Sequence, residues 1–272
     1  MTVWMALPGT LLDARSLAPL QSALGVDPAL WHVDVLGTEP ALDDEIDRLA
    51  AVLAALAAGG VGPVIVLGHS LGGIVALHLA LRHPTAVSAL VLLAANARAG
   101  TGCGGDSDSD SPSDSAIAGA GAGAGANANA NASASARRAA QWQAARQQGL
   151  SALAHAKLAP GYGLTGDVAA EQLLAAQAEA VGLERFGHQL RYAAQRPGLL
   201  QPLRRLAMPL LALSADGDAL CPPEQGHEIA GLSAQGECRV LAGAGHLFPW
   251  LQPQWAAQQI TDFLSHKLRL PN

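Results

Sequence analysis

Val64-Ile65-Val66-Leu67-Gly68-His69-Ser70-Leu71-Gly72-Gly73 is the stretch that decides how this chain folds. Its first four residues form an unbroken apolar run rich in β-branched side chains, as a strand covered on both faces requires. A glycine-punctuated turn follows. From Leu71 the pattern predicts a helix to about His83, which Pro84 stops. The junction reads Gly-x-Ser-x-Gly. Glycines two residues to either side let strand and helix approach without Cβ clashes, and the serine hydroxyl projects from the sharp turn. The N-terminus of the helix sets the Leu71 N–H beside that hydroxyl, where it can stabilise developing negative charge.

Working outward, short apolar runs alternate with helical patterns, the habit of a parallel sheet with crossover helices. Val3–Leu7 ends at Pro8-Gly9, and a helix follows from Asp13 as N-cap to Gly25. Trp31–Leu36 is a second strand. Pro40 suits the first position of another helix, capped by Thr38 or Glu39. Asp43, Asp44 and Glu45 occupy its first turn, and an apolar stripe of Leu42, Ile46, Leu49, Leu53 and Leu56 ends at Gly59-Gly60. Ala89–Ala94, Pro209–Leu213 and Cys238–Leu241 complete about six strands, and an amphipathic helix spans roughly Pro253 to His266.

Two segments interrupt this alternation. Residues 100–136 carry Asp-Ser, Gly-Ala, Asn-Ala and Ser-Ala runs with little to bury, which predicts a flexible surface insertion. Residues 137–206 read as helical, with Phe186, Leu190 and Ala193 or Ala194 on one face, and form a lid. The expected organisation is thus a core in two parts, 1–99 and 207–272, with the insertion and the lid between them.

Composition narrows the function. The 272 residues carry 16 basic and 22 acidic side chains, a net charge of -6, and no basic cluster, which argues against nucleic acid as partner. No apolar run reaches the ~18 residues of a membrane span, and the first residues lack the charge pattern of a signal peptide. Cys103, Cys221 and Cys238 form no CxxC pair, as expected of a reducing, cytoplasmic setting. Cys221, His227 and Cys238 follow no zinc-ligand spacing, so no metal is expected.

A serine hydroxyl needs a base. Of nine histidines, His246 is the best placed, in Gly243-Ala244-Gly245-His246 on a loop after a strand and before the last helix. The base needs a carboxylate to hold its tautomer. Asp218, a few residues past the fifth strand, is the candidate, and Asp216 in the same turn is its rival. His69 is expected to pack beneath the turn.

Strand, Gly-His-Ser-Leu-Gly-Gly and helix, followed in order by Asp218 and His246, resemble the α/β-hydrolase fold over nearly the whole chain. The resemblance implies a serine hydrolase that cleaves an ester-like bond of a small molecule through an acyl-enzyme, without a cofactor. It implies a second oxyanion donor in Leu7-Pro8-Gly9-Thr10, with the Thr10 N–H as candidate and Leu11 next. Pro8 stands where many relatives have histidine. The family's two leading antiparallel strands have no counterpart before Val3, so a compact version is expected. Small esterases, enol-lactone hydrolases and lyases share these features. A lyase or C–C bond hydrolase on the same triad, and a non-catalytic binding protein, are therefore the competing functions. Trp142, Tyr162, Phe186 and Tyr192 are candidates for a substrate pocket, and Arg185, Arg191 and Arg196 for binding a substrate carboxylate. Oligomeric state is left open.

Overall fold

The computed structural model describes residues 2–59, 62–100, 123–164 and 166–268. Six strands, β1 (Val3–Leu7), β2 (Trp31–Val33), β3 (Val64–His69), β4 (Ala89–Leu93), β5 (Leu210–Ala215) and β6 (Gly236–Leu241), form one parallel sheet in the order β2-β1-β3-β4-β5-β6. The chain turns one way from β1 to β2 and the other way from β3 onward. The crevice at the carboxyl ends of β1 and β3 is therefore the topological switch point, where ligands of open α/β sheets bind.

Strand pleating sorts the core into two layers. Val3, Met5, Leu7, Val64 and Val66 face α2 (Leu42–Ala58), α3 (Leu71–Arg82) and α9 (Pro223–Leu232). Trp4, Ala6, Ile65 and Leu67 face α1 (Ala14–Leu24) and α11 (Pro253–Leu268). Between β4 and β5 the lid comprises α4 (Gly123–Gln148), α5 (Leu150–Leu153), a π-helical turn at Ala154–Leu158, α6 (Ala159–Gly161), α7 (Val168–Val181) and α8 (Leu183–Gln195). Short α10 (Phe248–Leu251) precedes α11. Among the described residues, no helix is long and apolar enough to cross a membrane.

Local signals set most boundaries. Asp13 caps α1 by accepting from the Arg15 N–H, and Gly25, at φ 65°, closes it. Four expectations need correction. β2 stops at Val33 rather than Leu36, because the chain then peels off the sheet to meet the lid: Val35, Leu36 and Gly37 carbonyls bond Arg185, Gln189 and His188 of α8. α2 starts at Leu42 rather than Pro40 and has no side-chain cap. The Pro40 and Glu39 carbonyls bond Arg191 and Tyr192, while the fully buried Glu45 carboxylate reaches back to the Gly37 and Glu39 N–H groups. Arg48 bridges Glu45 to Asp34 and neutralises that buried charge.

The third correction is the buried stripe of α8, which is Phe186, Gln189 and Tyr192. It is rotated from the expected face because Gln189 finds buried partners. The fourth concerns the 100–136 insertion. Residues 101–122 lie outside the described residues, but residues 123–136 form the first half of α4. Alanine at every second position has the highest helix propensity of any residue and outweighs the Gly and Asn between.

Candidate active site

β3 delivers Ser70 to the switch point. Ser70 has φ 54° and ψ -117°, a left-handed conformation rarely adopted by a non-glycine residue. Gly72 explains how the turn closes: a Cβ there would stand 2.0 Å from the Leu7 carbonyl oxygen. A Cβ on Gly68 would lie 2.4 Å from the Gly72 oxygen. Among the described residues, Leu11 (φ 57°) and Ala94 (φ 49°) are the other non-glycine residues with positive φ, so backbone strain collects at the carboxyl ends of β1, β3 and β4.

Three side chains separated along the sequence meet here. His246 Nε2 lies 2.9 Å from Ser70 Oγ, and His246 Nδ1 lies 2.7 Å from Asp218 Oδ2. The carboxylate requires the proton on Nδ1, which leaves Nε2 to accept from the serine hydroxyl. Asp218 Oδ1 accepts from the Leu220 and Cys221 N–H groups at 2.8 and 2.9 Å. Burial pushes the Asp218 carboxyl up, but the His246 ring and these two N–H groups outweigh it and hold it below its ordinary value. Asp218 and His246 are both 3% exposed. The rival, Asp216, accepts from the Gly243 N–H at 2.7 Å and ties the two loops together.

His69 does pack beneath the turn, and it has a partner that sequence did not reveal. Its Nε2–H donates to the His246 carbonyl at 3.0 Å, anchoring the loop that carries the imidazole. Burial pushes its pKa down to about 3, so it stays neutral. Tyr162, from the lid, stacks on His246 with ring centres 5.5 Å apart and planes 18° apart. Of the other pocket candidates, Phe186 packs against Trp142 within an apolar cluster that joins the lid to Leu11, Leu12 and Leu247, and Tyr192 is buried in the main core. Arg185, Arg191 and Arg196 bond backbone carbonyls of the Val35–Pro40 loop and of Arg98, and so fasten the lid to its surroundings, and Arg196 also bonds the Ala193 carbonyl within α8.

The N–H groups of Leu71 and Thr10 donate to no acceptor among the described residues, whereas the Leu11 N–H donates to Gln189 Oε1 at 2.9 Å. A Cβ on Gly9 would lie 3.2 Å from the Ser70 Cβ, so the β1 loop abuts Ser70. Sequence reasoning missed Gln189. The available signal was a polar residue on the apolar stripe of an amphipathic helix, which burial allows only with partners for its amide.

Among the described residues, Asp218, Cys221 and His246 are the group whose ligand atoms lie close enough for a metal, within 4.8 Å of one another. The carboxylate and the imidazole are already joined, and burial, aided by Asp218, pushes the Cys221 thiol up to about 12.

Comparison with known proteins agrees with this architecture. The sequence profile of the alpha/beta hydrolase fold matches residues 38–253. The biotin biosynthesis bifunctional protein BioHC of Cellvibrio japonicus is 31% identical over 256 residues, 92% of this chain and 45% of that protein. Lipase LipV of Mycobacterium tuberculosis is 57% identical over 93 residues, 34% of this chain and 31% of the lipase. The chain thus spans less than half the length of these curated relatives. A thermophilic esterase from Thermogutta terrifontis superimposes with a TM-score of 0.73 at 21% identity, covering 98% of this chain and 90% of the esterase. The six-stranded parallel sheet, its flanking helices and the profile match together make this chain a member of the alpha/beta hydrolase fold family.

Proposed function

We propose that the protein is a serine hydrolase that cleaves a carboxylic ester of a small molecule. The observation that carries this reading is the hydrogen-bonded line Ser70–His246–Asp218, beside two N–H groups that have no acceptor among the described residues. His246 takes the Ser70 proton as Oγ attacks the ester carbonyl. The Leu71 and Thr10 N–H groups hold the oxyanion, at about 3–4 kcal/mol for each donor. His246 then protonates the leaving alcohol, and the acyl-enzyme forms. Water, deprotonated by the same imidazole, releases the acid and restores Ser70. Asp218 keeps the ring in its productive tautomer and stabilises the transient imidazolium.

The surroundings favour a neutral, apolar ester. Leu11, Leu12, Leu158, Leu164 and Leu247 belong to one apolar cluster bordered by Tyr162 and Trp250, and the nearby α8 arginines are engaged with backbone carbonyls. The test is a fluorophosphonate probe with p-nitrophenyl esters of graded acyl length. Expected are labelling of Ser70, mass-detected acyl-enzyme, and loss of both in Ser70→Ala. Elimination without an adduct would indicate a lyase, and folded protein that never labels would indicate a binding protein. The 31% identity to a biotin-biosynthesis protein across 92% of the chain supports a second reading, an esterase step in that pathway. Growth without biotin of a mutant lacking that relative, restored by this gene and lost with Ser70→Ala, tests it.

A further inference from the structure

Gln189 sits in the lid on α8, 0% exposed, with both halves of its amide used. Its Oε1 accepts from the Leu11 N–H at 2.9 Å, and its Nε2 donates to the Leu36 carbonyl at 2.9 Å. One partner only donates and the other only accepts, so the amide has a single orientation. Leu11 is a leucine at φ 57°, a conformation that persists only where its surroundings impose it. The Leu12 N–H is also engaged, by the Gly9 carbonyl at 3.2 Å. In Thr10-Leu11-Leu12, the N–H without an acceptor among the described residues is therefore that of Thr10.

We propose that Gln189 is a positioning residue for the oxyanion hole: by capturing the Leu11 N–H and holding that residue left-handed, it turns the Thr10 N–H toward the Ser70 oxyanion. The inference rests on the reading of Ser70 as nucleophile and Thr10 as oxyanion donor. It makes α8 part of the catalytic apparatus. A lid displaced from its seat loses the Gln189 bond, the strained loop relaxes, and the oxyanion hole comes apart, so the hole forms only beneath a closed lid. A second buried glutamine, Gln177 of α7, accepts from the Asp13 N–H at 3.0 Å and serves as control, because it fastens the lid to the same loop without touching Leu11.

Gln189→Met, Gln189→Glu and Gln177→Met are compared with wild type by melting temperature, by kcat and KM on a p-nitrophenyl ester, and by inhibition with an aryl trifluoromethyl ketone. The hemiketal oxyanion of that inhibitor occupies the hole. Gln189→Met is expected to lower kcat by about tenfold to a hundredfold, somewhat less than deletion of an oxyanion donor, with KM within about threefold. Ketone affinity falls by a similar factor. Gln189→Glu, kept protonated by full burial, still accepts from the Leu11 N–H and donates its O–H to the Leu36 carbonyl and so restores most of kcat, and Gln177→Met keeps the wild-type value. A folded Gln189→Met with wild-type kcat and ketone affinity, or a loss confined to KM, overturns the proposal. If Gln189→Met does not fold, Gln189→Glu decides: retained kcat supports the role of the Leu11 bond, and a tenfold loss at normal melting temperature refutes it. Ser70→Ala separates the two levels, since activity surviving in that variant overturns the hydrolase reading itself.

Discussion

Gly72→Ala is the sharpest probe of the turn that presents Ser70. The added Cβ would stand 2.0 Å from the Leu7 oxygen, 2.6 Å from the Leu7 carbonyl carbon and 2.7 Å from the Pro8 oxygen. Carbon and oxygen normally keep about 3.3–3.6 Å apart, so something must move by about 1.3 Å or more. All three atoms are backbone, and Leu7 is paired with Gly68 in the sheet, with β1 held between β2 and β3. Overpacking absorbed by side chains costs ~1–3 kcal/mol, and here rigid strand must yield, so we expect about 3 kcal/mol or more. At ~2–4 °C per kcal/mol for a chain of this size, the melting temperature falls by about 6–12 °C. The displaced segment leads into Thr10, and a shift of about 1 Å at a catalytic group costs on the order of a hundredfold in rate. The assay pairs thermal denaturation by circular dichroism with ester hydrolysis. Gly231→Ala is the control: it lies within α9, nothing stands within 4 Å of its Cβ position, and it should stabilise by ~0.5–1 kcal/mol. A Gly72→Ala protein with wild-type melting and turnover would refute the steric account of the turn.

Acid should destabilise the fold well above the carboxylate range. Burial lowers His69 to about 3 and His78 to about 4 from an ordinary 6.5, so below pH 6.5 the unfolded chain binds protons that the folded one does not. Stability therefore falls as pH drops, by up to about 1.4 kcal/mol per pH unit for each histidine, and Asp218 adds in the same sense below its ordinary value. Urea melts at pH 7, 6 and 5 should show His69→Gln with a slope flatter by one histidine's share, and an unchanged slope would contradict its buried neutrality. Asp218→Asn should lower kcat by about a thousandfold or more with folding intact, as loss of the tautomer-setting carboxylate does. Asp216→Asn keeps an oxygen for the Gly243 N–H and should stay within about threefold of wild type, and the opposite ranking would reverse the assignment. Tyr162→Ala removes a ring contact with His246 worth ~0.5–1.5 kcal/mol and should reduce kcat/KM about twofold to tenfold, while Tyr162→Phe retains it.

Some of this protein was written in local patterns. Val64–Leu67 is buried on both faces wherever it goes, and Gly68 and Gly72 permit one tight turn, so the strand, Ser70 and the following helix were legible from adjacent residues. Chain order and loop context singled out His246, because a histidine on a glycine-rich loop at a strand end has few other uses. Asp218 and Asp216 share one turn, and local pattern could not part them. The 2.7 Å approach of His246 Nδ1 to Asp218, with Asp216 spent on the Gly243 N–H, distinguishes their positions. The same limit explains the early end of β2, the late start of α2 and the rotated stripe of α8. Each depends on hydrogen bonds between Val35–Pro40 and α8, partners about 150 positions apart that periodicity within either segment does not reveal. Sequence by itself determined which residues could carry the chemistry, since side-chain type and local backbone preference are short-range properties. Tertiary structure alone decided which N–H groups lack an acceptor among the described residues, which glutamine engages Leu11 and which arginines are consumed, because hydrogen-bond partners are set by proximity in space.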